Sequence, residues 1–177
     1  MIKDNGDGSY DVTLYAKGDK VALIPTVVTI KRQFPIKANG NPAYAQIGDN
    51  EMWVMIMEKA YAKLKGDYDA IVGGDPADVM SAITGEAKTS LSTALCSETQ
   101  ILEFLQRNLL LNTPMTASSH PGKDRFQSST GSEVVKNHAY TIISVANGQV
   151  SLRNPWGSTD AIVTIKEFKE FFYRVSF

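Results

Sequence analysis

Residues 138–157 read HAYTIISVANGQVSLRNPWG, and this stretch decides the fold class that the sequence predicts. Two runs of mostly apolar and β-branched residues, His138 to Val145 and Val150 to Arg153, flank Asn147-Gly148, a strong hairpin signal. Asn154-Pro155 ends the second run, because proline has no N–H for a strand ladder. The sequence therefore predicts an antiparallel hairpin with a histidine at its start and an asparagine at its end.

Outside the hairpin, the pattern predicts strands at both ends of the chain and helices in the middle. Strands are expected around Tyr10 to Leu14 and Val21 to Ile30, with a turn at 17–20, and later over Met115 to Ser119 and Ile162 to Ile165, with a polar loop from Pro121 to Lys136. Three helices are bounded by Asp49-Asn50 and a left-handed Gly66, by Asp75-Pro76 and Gly85, and by the capping box Ser97-Glu98-Thr99-Gln100. Strands, helices and then strands predict an α+β fold with an antiparallel sheet.

Composition limits the classes of function. The chain has 177 residues with 18 Lys+Arg against 19 Asp+Glu, which predicts one domain over residues 1–177 and no nucleic-acid partner. Cys96, His120 and His138 cannot supply a structural zinc site, and one cysteine forms no internal disulfide. No apolar run reaches the roughly 18 residues of a membrane span. A polar N-terminus unlike a secretory signal and one unpaired thiol predict a cytoplasmic location.

His138 and Asn154 are the candidate catalytic residues. A histidine oriented by an amide is the arrangement that activates cysteine nucleophiles, because the imidazole takes the thiol proton and the amide carbonyl holds the ring. An indole at Trp156 would shield that hydrogen bond from water. Taken alone, His138 and Asn154 also fit a strand-end histidine and a turn-forming asparagine.

The surrounding segments resemble those of a known family. His138-Ala139-Tyr140 and Leu152 to Gly157 resemble the G-H-A-Y and R-N-P-W-G segments of calpain-type cysteine proteases. Residues 51–66, EMWVMIMEKAYAKLKG, are similar to that family's W-x-x-L-x-E-K-A-Y-A-K-x-x-G helix. Gly73-Gly74 stands where the family has a glycine pair, and Phe168 to Arg174 resembles its closing D-F-x-x-x-F-x-R.

The resemblance implies a papain-like, two-lobed endopeptidase of which this chain looks like the C-terminal lobe, an antiparallel sheet or barrel with packed helices. Carried over by position, His138 would be the general base, Asn154 the residue that orients it, and Trp156 the indole that walls the site. The implied partners are an N-terminal lobe that carries the nucleophilic cysteine and a polypeptide substrate.

The chain departs from the family pattern at three places. The family's Q-x-x-x-x-C-W nucleophile segment has no match, so the isolated chain is predicted to be inactive. Ser158-Thr159-Asp160 replaces a tryptophan- and acid-containing loop that helps calpains bind calcium. We therefore expect no metal or other cofactor in this chain, which leaves calcium for the complete enzyme. Asn137 stands where the family has a glycine before the histidine.

Cys96 is the alternative nucleophile. The order Cys96, His138, Asn154 matches the family order, and Cys96 precedes a helix N-terminus, which favours a thiolate. However, no tryptophan follows Cys96, and Glu98 opposes the negative charge. The expected role is that of a buried or half-buried thiol without catalytic function.

Other candidate residues have structural explanations. Asp4 to Ser9 begins like a calcium loop but lacks its required glycine and glutamate, which predicts a tight turn. His120 is expected to be solvated, and Met52, Met55 and Met57 are expected to pack in the core rather than form a binding face.

Two other interpretations of the chain remain open. A non-catalytic interaction or scaffolding module would also lack the nucleophile. The parent reading frame distinguishes this module from the enzyme: an upstream Q-x-x-x-x-C-W stretch favours the enzyme, whereas a replacement of that cysteine favours the module. A papain-type relative would share His138, Asn154 and Trp156 but would not explain the helix that begins near Trp53.

The hairpin register decides whether the two candidate residues meet. A two-residue turn at Asn147-Gly148 pairs Thr141 with Asn154 and places His138 and Asn154 on opposite faces. A three-residue turn with a bulge places them on one face. The distance between the two side chains therefore tests the assignment.

Overall fold

The computed structural model describes residues 1–17, 22–45, 52–87, 89–157 and 159–177, which fall into two compact units, Met1–Ala87 and Lys88–Phe177. The described residues form an α+β fold in which the paired strands run antiparallel, as the sequence predicts. Among them, no helix is both long and apolar enough to cross a membrane.

The first unit is a three-stranded sheet, in the order β1-β2-β3, with a helix packed on one face. Val12 and Leu14 point into its core together with Ile56 and Ala60 of that helix, since alternate residues of a strand share a face. Met55 is buried, and Met52 and Met57 pack against the core, which confirms their structural role. The elements are β1 (Ile2–Asp4), β2 (Ser9–Lys17), β3 (Leu23–Lys31), α1 (Trp53–Lys65) and α2 (Pro76–Thr84).

The helix ends of this unit follow the predicted signals in part. The Asp75 carboxylate accepts the Ala77 N–H at the start of α2, and Gly85 ends α2 in the left-handed conformation, both as predicted. Gly66 ends α1 at φ 124° and ψ −62°, outside the left-handed conformation expected there. Asp49-Asn50, expected to cap α1, and residues 18–20 of the predicted turn lie outside the described residues.

The second unit is a six-stranded antiparallel sheet in the order β10-β9-β8-β5-β11-β4, with two helices over its core and a separate β6–β7 hairpin. Ile101 and Leu105 of α3 and Phe168 of α4 are fully buried there. The elements are β4 (Ser90–Ser92), α3 (Glu98–Leu110), β5 (Thr116–Ser119), β6 (Arg125–Gln127), β7 (Glu133–Val135), β8 (Ala139–Ala146), β9 (Gln149–Arg153), β10 (Ala161–Thr164), α4 (Ile165–Phe171) and β11 (Phe172–Ser176).

Two features of this unit differ from the sequence prediction. The segment Pro121 to Lys136, expected to be a loop, contains the short β6–β7 hairpin. The strand expected to reach Ile165 ends at Thr164, because Thr164 and Glu167 form a capping box that begins α4. The predicted capping box of Ser97 and Gln100 is present at the start of α3.

The register of the β8–β9 hairpin matches neither alternative that the sequence offered. The turn has two residues, Asn147 and Gly148, both with positive φ, and Ala146 pairs with Gln149. A bulge within β8, where Ile143 is the extra residue, then shifts the pairing so that Thr141 faces Arg153. Because this shift is one residue, Asn154 falls on the same face as His138.

Candidate active site

His138 stands immediately before β8, and its backbone is held from both sides. Its N–H donates to the Ser119 hydroxyl at 3.0 Å, and its carbonyl accepts the Ser119 N–H at 2.9 Å. The preceding Asn137 has φ 54°, a left-handed conformation that asparagine tolerates better than most residues. The family resemblance predicts glycine at this position. Asparagine is also compatible with the turn that precedes His138.

The structure brings the side chains of His138 and Asn154 together. The imidazole Nε2 lies 2.9 Å from the carboxamide Oδ1, across the mouth of the hairpin. Asn154 is only 1% exposed, whereas His138 is half-buried. The Nε2 edge of the half-buried imidazole thus lies against a buried side chain.

The hydrogen bonds of Asn154 determine the tautomer of His138. The backbone N–H of Trp156, which can only donate, lies 3.0 Å from Oδ1 of Asn154. Nδ2 of Asn154 donates to the Thr159 hydroxyl at 2.9 Å. The atom facing His138 is therefore an acceptor, so Nε2 of the neutral ring carries the hydrogen. The lone pair then resides on Nδ1, the nitrogen available to accept a proton.

Two aromatic rings contact the His138 imidazole. The Trp156 indole lies 4.2 Å away between ring centroids with a 42° tilt, and is 63% exposed. Tyr140 meets the imidazole edge-on at 5.1 Å. Burial raises the pKa of Tyr140, whose hydroxyl oxygen accepts the Val135 N–H, so this phenol stays neutral at physiological pH. Both aromatic rings thus lie against the His138 imidazole.

Cys96 lies elsewhere in the second unit. It is half-buried, packs against the apolar core, and follows a 3₁₀ turn, Thr93–Leu95, whose Thr93 hydroxyl donates to the Phe172 carbonyl of β11. In the sheet order, β5 and β11 lie between β4, which that turn follows, and β8, which His138 precedes. The expected half-buried thiol matches this placement.

The remaining candidates lie apart from these contacts. His120 is half-buried, with its ring 5.7 Å from that of Tyr173, rather than solvated as expected. Asp4 and Asp7 accept backbone N–H groups within the tight turn between β1 and β2. Within the described residues, no group of three or more His, Cys, Asp or Glu side chains is placed to hold a metal ion.

The structure adds two residues that sequence reasoning did not single out. Thr159 accepts from the Asn154 carboxamide, and the Asp160 carboxylate accepts the Asn154 N–H at 2.8 Å. Their sequence context, a short polar stretch before β10, carries no signal for this role. Ser158, which precedes them, lies outside the described residues.

Comparisons with known proteins show the family that the chain resembles in sequence. The family model described as "Calpain family cysteine protease" matches residues 1–162. The chain is 34% identical over 169 residues to the calpain-type cysteine protease DEK1 of Zea mays and 35% identical to ADL1 of Oryza sativa, covering 87% of this chain and 7% of each relative. It is 34% identical over 123 residues to human calpain-9, covering 63% of this chain and 17% of that protein.

Proposed function

Because this chain belongs to the calpain family of cysteine proteases, we propose that residues 1–177 form the C-terminal lobe of a calpain-type catalytic domain. In this proposal His138 is the general base, Asn154 orients it, and Trp156 walls the site. The nucleophilic cysteine comes from an N-terminal lobe, and the substrate is a polypeptide. The 2.9 Å contact between His138 Nε2 and Asn154 Oδ1 is the observation that supports these roles.

The chemistry follows from the free nitrogen of the imidazole. Nδ1 of His138 accepts the thiol proton, and the resulting thiolate attacks the peptide carbonyl carbon. The imidazolium then returns that proton to the leaving amine as the C–N bond breaks. Water, deprotonated by the same nitrogen, attacks the thioester, and the carboxylic acid product leaves as the thiol is regenerated.

Asn154 and Trp156 serve the charged form of His138. Oδ1 of Asn154 accepts the Nε2–H throughout the reaction. This hydrogen bond keeps the imidazole ring, and with it Nδ1, in one orientation. The indole, with its centroid 4.2 Å from that of the imidazole, attracts an imidazolium through its π face. It also excludes water from the Nε2···Oδ1 hydrogen bond, which is stronger in a drier environment.

Dependence on calcium and the cellular compartment are further parts of the proposal. Ser158-Thr159-Asp160 is shorter than the calcium-associated loop expected from the family resemblance, so we assign any calcium site to the rest of the complete enzyme.

We assign the protein to the cytoplasm because its cysteine has no partner within the chain for a disulfide.

The test is proteolysis by the full-length parent protein. We expect thiol-dependent cleavage of an unfolded polypeptide, and we expect His138→Ala to lower kcat/KM by about 10²- to 10⁴-fold, the usual contribution of a general base. His120→Ala removes the other histidine and serves as the matched control, with kcat/KM unchanged.

Two results would contradict the proposal. A parent protein that carries no nucleophilic cysteine and cleaves nothing would identify this chain as a protease-like interaction module. Equal activity of the His138→Ala and His120→Ala variants would remove His138 from the mechanism.

A further inference from the structure

We propose that Thr159 is a positioning residue of the candidate active site: its hydroxyl holds the Asn154 carboxamide in the orientation that fixes the His138 tautomer. This inference rests on the proposed function for its catalytic meaning. The geometry itself concerns hydrogen bonds within this chain.

The Asn154 carboxamide is held from two sides. The Trp156 N–H donates to Oδ1 at 3.0 Å, and the Thr159 Oγ1 accepts from Nδ2 at 2.9 Å. Rotation of the amide by 180° would place an NH₂ group against the Trp156 N–H and an oxygen against Thr159. Because a backbone N–H can only donate, the Trp156 contact selects the orientation in which Oδ1 faces His138, and the Thr159 hydroxyl, acting as the acceptor, pairs Nδ2 in that orientation.

The backbone of Asn154 is fixed independently of Thr159. Its N–H donates to the Asp160 carboxylate at 2.8 Å, and its carbonyl accepts the Gly157 N–H at 3.1 Å. Because the main chain is held at both groups, the freedom that remains to Asn154 is rotation of its side chain. That rotation is what the Thr159 hydroxyl restricts.

The backbone conformation of Thr159 points to a selected role. The described non-glycine residues with positive φ are Asn112, Asn137, Asn147 and Thr159, and three of these are the residue type that tolerates this region. Thr159 has φ 61°, which is unfavourable for a β-branched side chain. A strained residue is retained where its side chain does something that the relaxed choices, glycine above all, do not. Here it supplies an acceptor to a buried amide.

The experiment measures the tautomer of the neutral His138 ring in the 177-residue chain by ¹⁵N NMR of the imidazole nitrogens. The spectrum of His138→Ala assigns the signals, since the chain has two histidines. Thr159→Val keeps the β-branched shape and removes the acceptor, Thr159→Ser keeps the acceptor, and Thr159→Gly removes the acceptor together with the strain.

We expect the Nε2–H tautomer in the wild type. Thr159→Val and Thr159→Gly should each lower the ratio of Nε2–H to Nδ1–H roughly fivefold, the factor that corresponds to one ordinary hydrogen bond. Thr159→Ser should keep the wild-type ratio. Should Thr159→Val fail to fold, Thr159→Gly answers the same question without a strained backbone.

An unchanged ratio in the folded variant that lacks the acceptor would overturn the role of Thr159 while leaving the proposed function intact. A wild-type ring with its hydrogen on Nδ1 would overturn both. Full-length protein without proteolytic activity would overturn only the proposed function, because the tautomer is read in the absence of catalysis.

Discussion

At the residue scale, Asn154 makes most of the hydrogen bonds of the candidate site. Its side-chain and backbone polar atoms are paired with residues near the open end of the β8–β9 hairpin. Its amide oxygen meets His138 and the Trp156 N–H, and its amide nitrogen meets Thr159. A buried amide group left without a hydrogen-bond partner lowers the free energy of unfolding by about 1–3 kcal/mol, so each of these contacts contributes to stability.

Asn137 allows a residue-scale prediction about how the histidine is presented. Its φ of 54° is costly for branched side chains and free of cost for glycine. We predict that Asn137→Val lowers the free energy of unfolding by about 1–2 kcal/mol and that Asn137→Gly changes it little. Urea denaturation of the two variants beside the wild type measures this. Equal destabilisation by valine and glycine would show that the side chain, rather than the backbone conformation, matters there.

At the scale of elements, the β8–β9 hairpin brings the candidate site together through its bulge. Val145 pairs with Val150 near the turn, and Ile142 pairs with Leu152 beyond the bulge. Ile143 and Ser144 are both exposed, as expected where one residue is inserted into a strand. Without that extra residue in the pairing, Asn154 would follow the opposite face of the sheet from His138.

The start of α4 is held by an ionised carboxylate. Burial acts to raise the pKa of Glu167, but hydrogen bonds from the Ser129 N–H, the Thr164 N–H and the Ser128 hydroxyl outweigh it and lower that pKa from 4.5 to about 2. A pKa below the unfolded value means that the charged form stabilises the fold. This contribution is complete above pH 4.5 and is lost as the pH falls toward 2.

From this we predict the pH dependence of a Glu167→Gln variant. At pH 7 its free energy of unfolding should be about 1 kcal/mol lower than that of the wild type, because a neutral amide accepts these hydrogen bonds less strongly. At pH 3 the difference should narrow, because the carboxylate of the unfolded wild type, with its ordinary pKa of 4.5, is protonated there, whereas the folded one, with a pKa of about 2, stays largely ionised. Urea denaturation at the two pH values measures it, with the exposed Glu170→Gln on the same helix as control. A gap that is equally large at both values would contradict an ionic origin.

At the scale of the whole molecule, the chain spans 7% of the plant calpain-type proteases and 17% of human calpain-9 that it matches. It holds a histidine and an asparagine in hydrogen-bond contact, while its one cysteine packs against the core of the second unit. A base without a nearby nucleophile has no thiol to deprotonate. In the proposed function, the thiol that His138 deprotonates therefore comes from another part of the protein.

We accordingly predict that the isolated 177-residue chain does not cleave an unfolded polypeptide under reducing conditions. The measurement is release of labelled fragments over many hours, with full-length parent protein as the positive control. Cys96→Ala should behave as the wild type does. Thiol-dependent cleavage by the isolated chain that disappears in Cys96→Ala would make Cys96 the nucleophile and end the two-lobe proposal.

Local signals in the sequence predict many of the secondary-structure elements. The capping box at Ser97 and the Asp75-Pro76 start are short-range patterns, because a helix cap is satisfied within three residues. The same kind of pattern, Thr164 with Glu167, predicts α4 and was available in the sequence. The short β4, β6 and β7 are different: three-residue strands depend on a partner strand, which local propensity does not identify.

The sequence by itself determined the family, the antiparallel α+β class and the identity of the candidate residues, since R-N-P-W-G and the α1 pattern are contiguous and local. Only the tertiary structure decided that His138 and Asn154 touch. Their contact depends on a bulge at Ile143, on the left-handed Asn137 and on Thr159 and Asp160 closing the loop. The physical reason is that a one-residue shift reverses the face of every following side chain, and the position of such a shift depends on packing across the sheet rather than on any residue's own preference.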